Sequence, residues 1–375
     1  MRKARSINGH AGRAKRVNDF ATLHEIVKAA HRNLSPGAWD YLTGGADTET
    51  ALLRNRMALD SLAFRPSVLN DVRDIDLSAS VHGVKSRLPV ILAPMGSLDA
   101  LDPGGAMSVA KAAEEFGVIS YLSSVTQPGI AEIAAETKHE KVFQLYVRGD
   151  RDWVADITNK AIDLGYIQFC LTVDVALYSR RERDLIKRYK PSGRSRNNDG
   201  WEYQAGLNWD LVKWFKDTWD IPLILKGIAT AEDAARCIEH GVEVVYVSNH
   251  GGRQLDHGRG TIDMLPEIVK EVGGRAEIIV DGGFCRGADI VKALARGADA
   301  VAIGKIQGLG LGADGQAGVL RVLELLEIEI NTVMGLLGLD SLDKLSEEIL
   351  EPVQPVVPPG VLSAFPFLNL PSQEY

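Results

Sequence analysis

The sequence predicts an α/β chain closed into a (β/α)8 TIM barrel, with an N-terminal helical extension and a proline-rich C-terminal tail. Three observations predict it. Eight short, β-branched apolar runs recur between Leu88 and Gly304. Stretches of helical periodicity separate them, including AEDAARCIEHG (231–241) and GADIVKALARG (287–297), both stopping at glycine. The runs are apolar at consecutive positions, as in strands buried on both faces of a parallel sheet. Eight strand–helix units over roughly 230 residues fit a closed barrel. An open doubly wound sheet is the alternative, weakened because no GxGxxG follows the first run and because eight is the closing number.

In chain order, residues 1–17 are basic and lack the apolar stretch of a secretory signal, so they read as a flexible tail; a transit peptide or membrane-surface arm is the other reading. Residues 18–85 form a helical preface, with helices expected near Leu23–Asn33 and Thr48–Ser61. Residues 86–340 carry the barrel: LPVILAPM (88–95), VISYLSS (118–124), VFQLYV (142–147), IQFCLTVD (167–174), LILKG (223–227), VVYVSN (244–249), EIIVDGG (277–283) and AVAIG (300–304). The widest gap, Val175 to Pro222, holds the polar RYKPSGRSRNNDG, a candidate lid. Residues 341–375 form a tail with six prolines after Glu351, expected to wrap the surface in extended form.

Composition sets the broad class. With 45% hydrophobic and 25% charged residues and a mean hydropathy of -0.04, the chain has ample material for a core. A formal charge of -8 argues against a nucleic-acid binder. No apolar run approaches the roughly 18–20 residues that cross a bilayer. Cys170, Cys237 and Cys285 lie far apart without metal-ligand spacing, so no metal is expected and a reducing, cytoplasmic setting is.

In this fold the chemistry sits where strands end and βα loops begin. Gln144 and Tyr146 are two apart on the third run and share a face; Thr172 and Asp174 do so on the fourth. The fifth run ends in Lys226, and the sixth enters SNHGGRQLD with Ser248, His250 and Arg253. The seventh ends in Asp281-Gly282-Gly283 and the eighth in Gly304-Lys305, where barrels commonly bind phosphate through exposed N–H groups. Taken singly, each has a bland reading: rim charges, a core tyrosine, turn glycines. Their convergence on one mouth argues for a polar ligand. A histidine with an arginine three residues on suggests proton abstraction beside a carboxylate.

Together these residues resemble the FMN-dependent 2-hydroxy acid oxidase and dehydrogenase family, which includes glycolate oxidase, lactate oxidase and mandelate dehydrogenase. The similarity runs from about Ala38 to Gly338, carried by SNHGGRQLD and then by FQLYV, LTVD, the RRE of 180–182, LILKG and VDGG. The resemblance implies an FMN cofactor and a small 2-hydroxy acid substrate. It implies His250 as base, supported as imidazolium by Asp174, with Arg253 and Arg181 on the substrate carboxylate and Tyr146 on its hydroxyl. Lys226 would face the flavin N1–O2 edge. Pro94, Met95 and Gly96 with Ser123, Gln144, Thr172 and Ser248 would hold the ring and ribityl chain. Asp281 would bind ribityl hydroxyls, and Gly282, Gly283, Gly304 and Lys305 would lie at the phosphate. A homo-oligomer, tetramer or octamer, is also implied.

Three departures stand out. Trp39 falls where the family's carboxylate-binding tyrosine is expected. Cys285 replaces a phosphate arginine, with Arg286 next to it as a substitute. Lys305 replaces a second arginine, a point charge in place of a bidentate fork. Trp39, opposite the space left by Gly96, suggests a substrate with a bulky apolar or aromatic C3 substituent. Two other readings remain: a flavin oxidase of the same fold acting on another alcohol or an amine, and a barrel that has lost catalysis. Retention of Arg253 and Arg181 argues against the first, and intact His250, Asp174 and Lys226 against the second. The electron acceptor, whether oxygen, a quinone or a protein, is not legible.

Overall fold

A computed structural model describes residues 20–193 and 199–370. The basic tail of 1–17 and the middle of the expected lid lie outside the described residues.

The preface comprises helices α1 (Leu23–Asn33), α2 (Pro36–Thr43) and α3 (Thr50–Asp60), then strand β1 (Leu62–Phe64) and a hairpin of β2 (Ala79–Val81) and β3 (Val84–Ser86). The short α2 starts cleanly because Pro36 occupies its first turn and Ser35 Oγ accepts from Ala38 N at 3.2 Å. The eight predicted runs become β4 (Val90–Leu92), β5 (Ile119–Ser123), β6 (Lys141–Leu145), β7 (Gln168–Thr172), β8 (Leu223–Ile228), β9 (Val244–Val247), β10 (Glu277–Val280) and β11 (Ala300–Ile303). All pair in parallel with their chain neighbours, and β11 returns to β4 to close the barrel. The helix of Lys305–Leu337 breaks at Asp314 and Gly315, whose backbone is non-helical, and packs with α1 in the main core. The tail contributes β12 (Leu350–Pro352), antiparallel to β1, and buries Phe365.

The barrel interior is layered. Strand alternation points Ile91, Tyr121, Val142, Cys170, Ile224, Tyr246, Ile279 and Ala302 inward as a packed middle layer. Two residues onward, the same faces carry Ala93, Ser123, Gln144, Thr172, Lys226, Ser248, Asp281 and Gly304. Six of those eight are polar or charged, at the end where the βα loops emerge. At the other end the β2–β3 hairpin caps the interior: Val81 joins the barrel cluster, and His82 meets Glu277 at 2.8 Å and Tyr121 Oη at 2.6 Å.

Candidate functional site

The polar layer is knitted before any ligand enters. Lys226 Nζ donates to Ser248 Oγ at 2.8 Å and pairs with Asp281 at 3.0 Å, while Ser248 Oγ donates to Asp281 at 2.7 Å. Burial alone would push the Lys226 ammonium down, but Asp281 and Asp174 outweigh it and hold it above its ordinary value. The strand bulges here at Gly227, whose φ of +118° suits glycine and where a Cβ would lie 2.6 Å from Asp174. That close approach brings Asp174 beside Lys226.

His250 follows Ser248 with φ +57°, and Gly251 and Gly252 continue in the left-handed region. Non-glycine residues seldom adopt it, and histidine is among the more tolerant. Its Nδ1 lies 3.0 Å from Asp174 Oδ1, and its Nε2 lies 3.3 Å from Tyr146 Oη. Burial lowers the His250 pKa despite Asp174. Burial would raise the Asp174 carboxyl, but His250 and Lys226 hold it below the ordinary range. The consistent state is a carboxylate accepting from Nδ1–H of a neutral imidazole, which leaves the Nε2 lone pair toward the cavity.

The cavity above this layer encloses about 1220 Å3 of atom-free space, its open mouth included. Arg253 and Arg181 both line it, and neither meets a carboxylate among the described residues. Arg253 Nη1 donates to Gly44 O at 2.7 Å and Arg181 Nε is buried without an acceptor. Burial and the charge of Arg181 lower the Arg253 pKa, the penalty of two desolvated cations side by side. The preface completes this wall, since Ala46 N donates to Gly252 O at 3.0 Å.

Trp39 is not part of that wall. It is buried among the preface helices and the barrel rim, edge-on to His31 at 4.6 Å. Residues two apart on a helix face opposite ways, so Tyr41 takes the cavity side. Its hydroxyl donates to Gly96 O at 3.2 Å, and the Arg253 guanidinium lies 5.0 Å from its ring centroid. Gly96 leaves no added space either: a Cβ there would lie 2.8 Å from Val125 Cγ2. Both premises of the bulky-substituent expectation are therefore corrected.

Pro94, Met95, Gly96, Tyr146, Lys226, His250, Asp281, Gly282, Gly283, Cys285, Gly304 and Lys305 all line the cavity. Ser123, Gln144, Thr172 and Ser248 are buried just beneath, and Asp174 lies behind His250. Gln144 Nε2 donates to Thr172 Oγ1 at 2.9 Å, leaving its buried Oε1 without a partner. Arg286 turns away, held by Glu329 at 2.6 Å and by Ala364 O at 3.0 Å, so it does not substitute at the cavity. Arg56, unforeseen in the sequence, reaches Gly283 O at 2.8 Å but is spent on Asp289 at 2.7 Å. Burial pushes the Cys285 thiol up to about 11, so it is neutral. Burial and Arg253 push the Lys305 ammonium down to about 7; its Nζ donates to Gly251 O at 3.0 Å. Tyr41, Tyr178, Arg148 and Trp201 are further lining residues that sequence reasoning missed.

Residues 30–352 match the family described as FMN-dependent dehydrogenase. The chain belongs to that family. An L-lactate oxidase from a Nostoc species is 37% identical over 332 residues, covering 82% of this chain and 91% of the relative. The glycolate oxidase of Spinacia oleracea is 35% identical, covering 81% and 88%. The structure of a soluble mutant of the membrane-associated (S)-mandelate dehydrogenase from Pseudomonas putida superposes with a TM-score of 0.83 at 34% identity, covering 89% of this chain and all of that one. An FMN-dependent dehydrogenase needs a cationic, hydrogen-bonding cradle, and this cavity fits. Five cationic side chains line it (Arg148, Arg181, Lys226, Arg253, Lys305) against one carboxylate, Asp281, and Gln144 Oε1 lacks a donor. A Cβ on Gly304 would meet nothing closer than Ala93 at 4.0 Å, so the backbone there is open to a ligand. Among the described residues no helix is long and apolar enough to cross a membrane.

Proposed function

We propose that the protein oxidises a 2-hydroxy acid to the 2-oxo acid, with His250 as base. The observation that carries this is the pair of guanidiniums without carboxylate partners, Arg253 and Arg181, beside a neutral imidazole anchored through Nδ1. Arg253 and Arg181 grip the substrate carboxylate, with Tyr41 completing that wall in the place first given to Trp39. This sets the 2-hydroxyl and C2–H before His250 Nε2, with Tyr146 Oη on the substrate oxygen. The C2–H and O–H bonds break and C2=O forms; His250 takes one proton and Asp174 stabilises the imidazolium. When bound, FMN supplies the acceptor for the two electrons and the second hydrogen. Lys226 would supply a fixed positive charge to the ring, Pro94–Gly96 and the Gln144–Thr172 pair would hold it, Asp281 would bind the ribityl hydroxyls, and Gly282, Gly283, Gly304, Cys285 and Lys305 would hold the phosphate.

The catalytic unit in this reading is the barrel of 86–340 completed by the preface of 18–85, in a cytoplasmic homo-oligomer. The electron acceptor is left to measurement: oxygen consumption, set against anaerobic reduction of a quinone analogue, separates oxidase from dehydrogenase. The test of the reaction is anaerobic bleaching of the yellow holoprotein by a panel of 2-hydroxy acids. Bleaching by alcohols or amines that lack a carboxylate, with none by 2-hydroxy acids, overturns it.

A further inference from the structure

We propose that Arg148 sets the substrate class: it receives a second, terminal carboxylate, so the preferred substrate is a 2-hydroxy diacid. This rests on the base and carboxylate roles given above and goes beyond them. Arg148 lies two residues after Tyr146, and both line the cavity. Its guanidinium is stacked on the Trp201 indole, with Cζ 3.3 Å from the ring centroid. A stacked guanidinium is fixed in plane and keeps its edge for planar, bidentate partners. Yet the donors are poorly used. Nη1 donates at 3.3 Å to the neighbouring Val147 O, Nε is buried without an acceptor, and no described carboxylate pairs with it.

A charge count points the same way. Of the five cations lining the cavity, Lys226 is neutralised by Asp281, Lys305 belongs to the phosphate end, and Arg181 with Arg253 serves one carboxylate. Arg148 is left over. In a chain of net charge -8, a surplus half-buried guanidinium two residues from Tyr146 calls for an anion from the ligand. The Trp201 indole against it and Val125 elsewhere on the cavity lining give apolar surface for a short unbranched stem. The terminal carboxylate is unchanged in the reaction; only C2 is oxidised.

The experiment uses the holoenzyme under anaerobic conditions. Flavin reduction is measured with 2-hydroxy diacids of four and five carbons and with their ω-amides of equal length, which keep the shape and remove the charge. The native protein should reduce at least about tenfold more efficiently with the diacid, and Arg148→Gln should lower the diacid-to-amide ratio by about 10–100-fold, with partial recovery in Arg148→Lys. Spectral titration with a non-reducing 2-oxo diacid should show the same loss of affinity. Equal efficiency of diacid and amide in the native protein overturns the proposal, and that comparison stands even where a variant fails to fold. An Arg148→Gln variant that weakens both substrates equally overturns it too, leaving Arg148 a brace for Trp201. If no 2-hydroxy acid of any kind bleaches the native flavin, the parent reading fails instead.

Discussion

At the His250 end of the cavity, three guanidiniums, a tyrosine pair and an imidazole tied to Asp174 stand ready with more donors than one carboxylate can use. The Lys305 end offers one ammonium, an uncharged thiol and open glycine backbone, while Arg56 and Arg286 are committed to Asp289 and Glu329. The contrast teaches that identity at the mouth of a barrel does not ensure equal grip along it. On the proposed reading, substrate chemistry is arranged in advance, whereas cofactor retention would rest on one titratable cation and on backbone N–H groups.

The largest effect should come at the well-provided end. His250→Ala should keep its yellow colour and slow flavin reduction by about 10²–10⁴-fold, measured by anaerobic stopped flow. Near-native reduction would end the base assignment. Because burial lowers the His250 pKa, the neutral form persists through neutral pH. Reduction should therefore be flat there and fall only once the pH drops below the ordinary imidazole range, as His250 takes up a proton. Arg253→Lys should raise the substrate KM about 10–100-fold, since an ammonium cannot reproduce the fork.

Smaller effects sharpen the other side. Cys285→Arg should tighten FMN binding about tenfold, read by equilibrium dialysis; unchanged or weaker retention would mean that the phosphate end is already sufficient. Lys305 loses its proton as pH rises past about 7 in the free protein, and the protonated form is the one that pairs with phosphate. FMN affinity should accordingly decline above that pH, by at most about tenfold per unit. Trp39→Tyr should leave substrate preference within about twofold, because that side chain does not reach the cavity.

The barrel was legible because buried parallel strands are apolar at every position, a pattern that survives without knowledge of pairing. That His250, Lys226 and Asp281 meet at one cavity was legible because strand ends converge by construction. Errors arose where direction depends on a few degrees of backbone. Trp39 and Tyr41 are two residues apart on one helix, and only packing decides which faces inward. Arg286 sits next to Cys285 yet turns to Glu329 on a distant helix. The contact of Arg148 with Trp201 joins a loop to the first residue of a short helix 53 residues on, and no periodicity encodes such a meeting.

The β2–β3 hairpin, with Val81 and His82 lodged in the far end of the barrel, makes the molecule a vessel with a stopper. Among the described residues, the polar layer is approached from one side. On the proposed reading, substrate would enter and product would leave on the side of the barrel opposite that hairpin, where the cavity lies. Closed at its foot in this way, the barrel leaves the polar layer to be served from the loops above it, the same loops that carry His250 and Arg253.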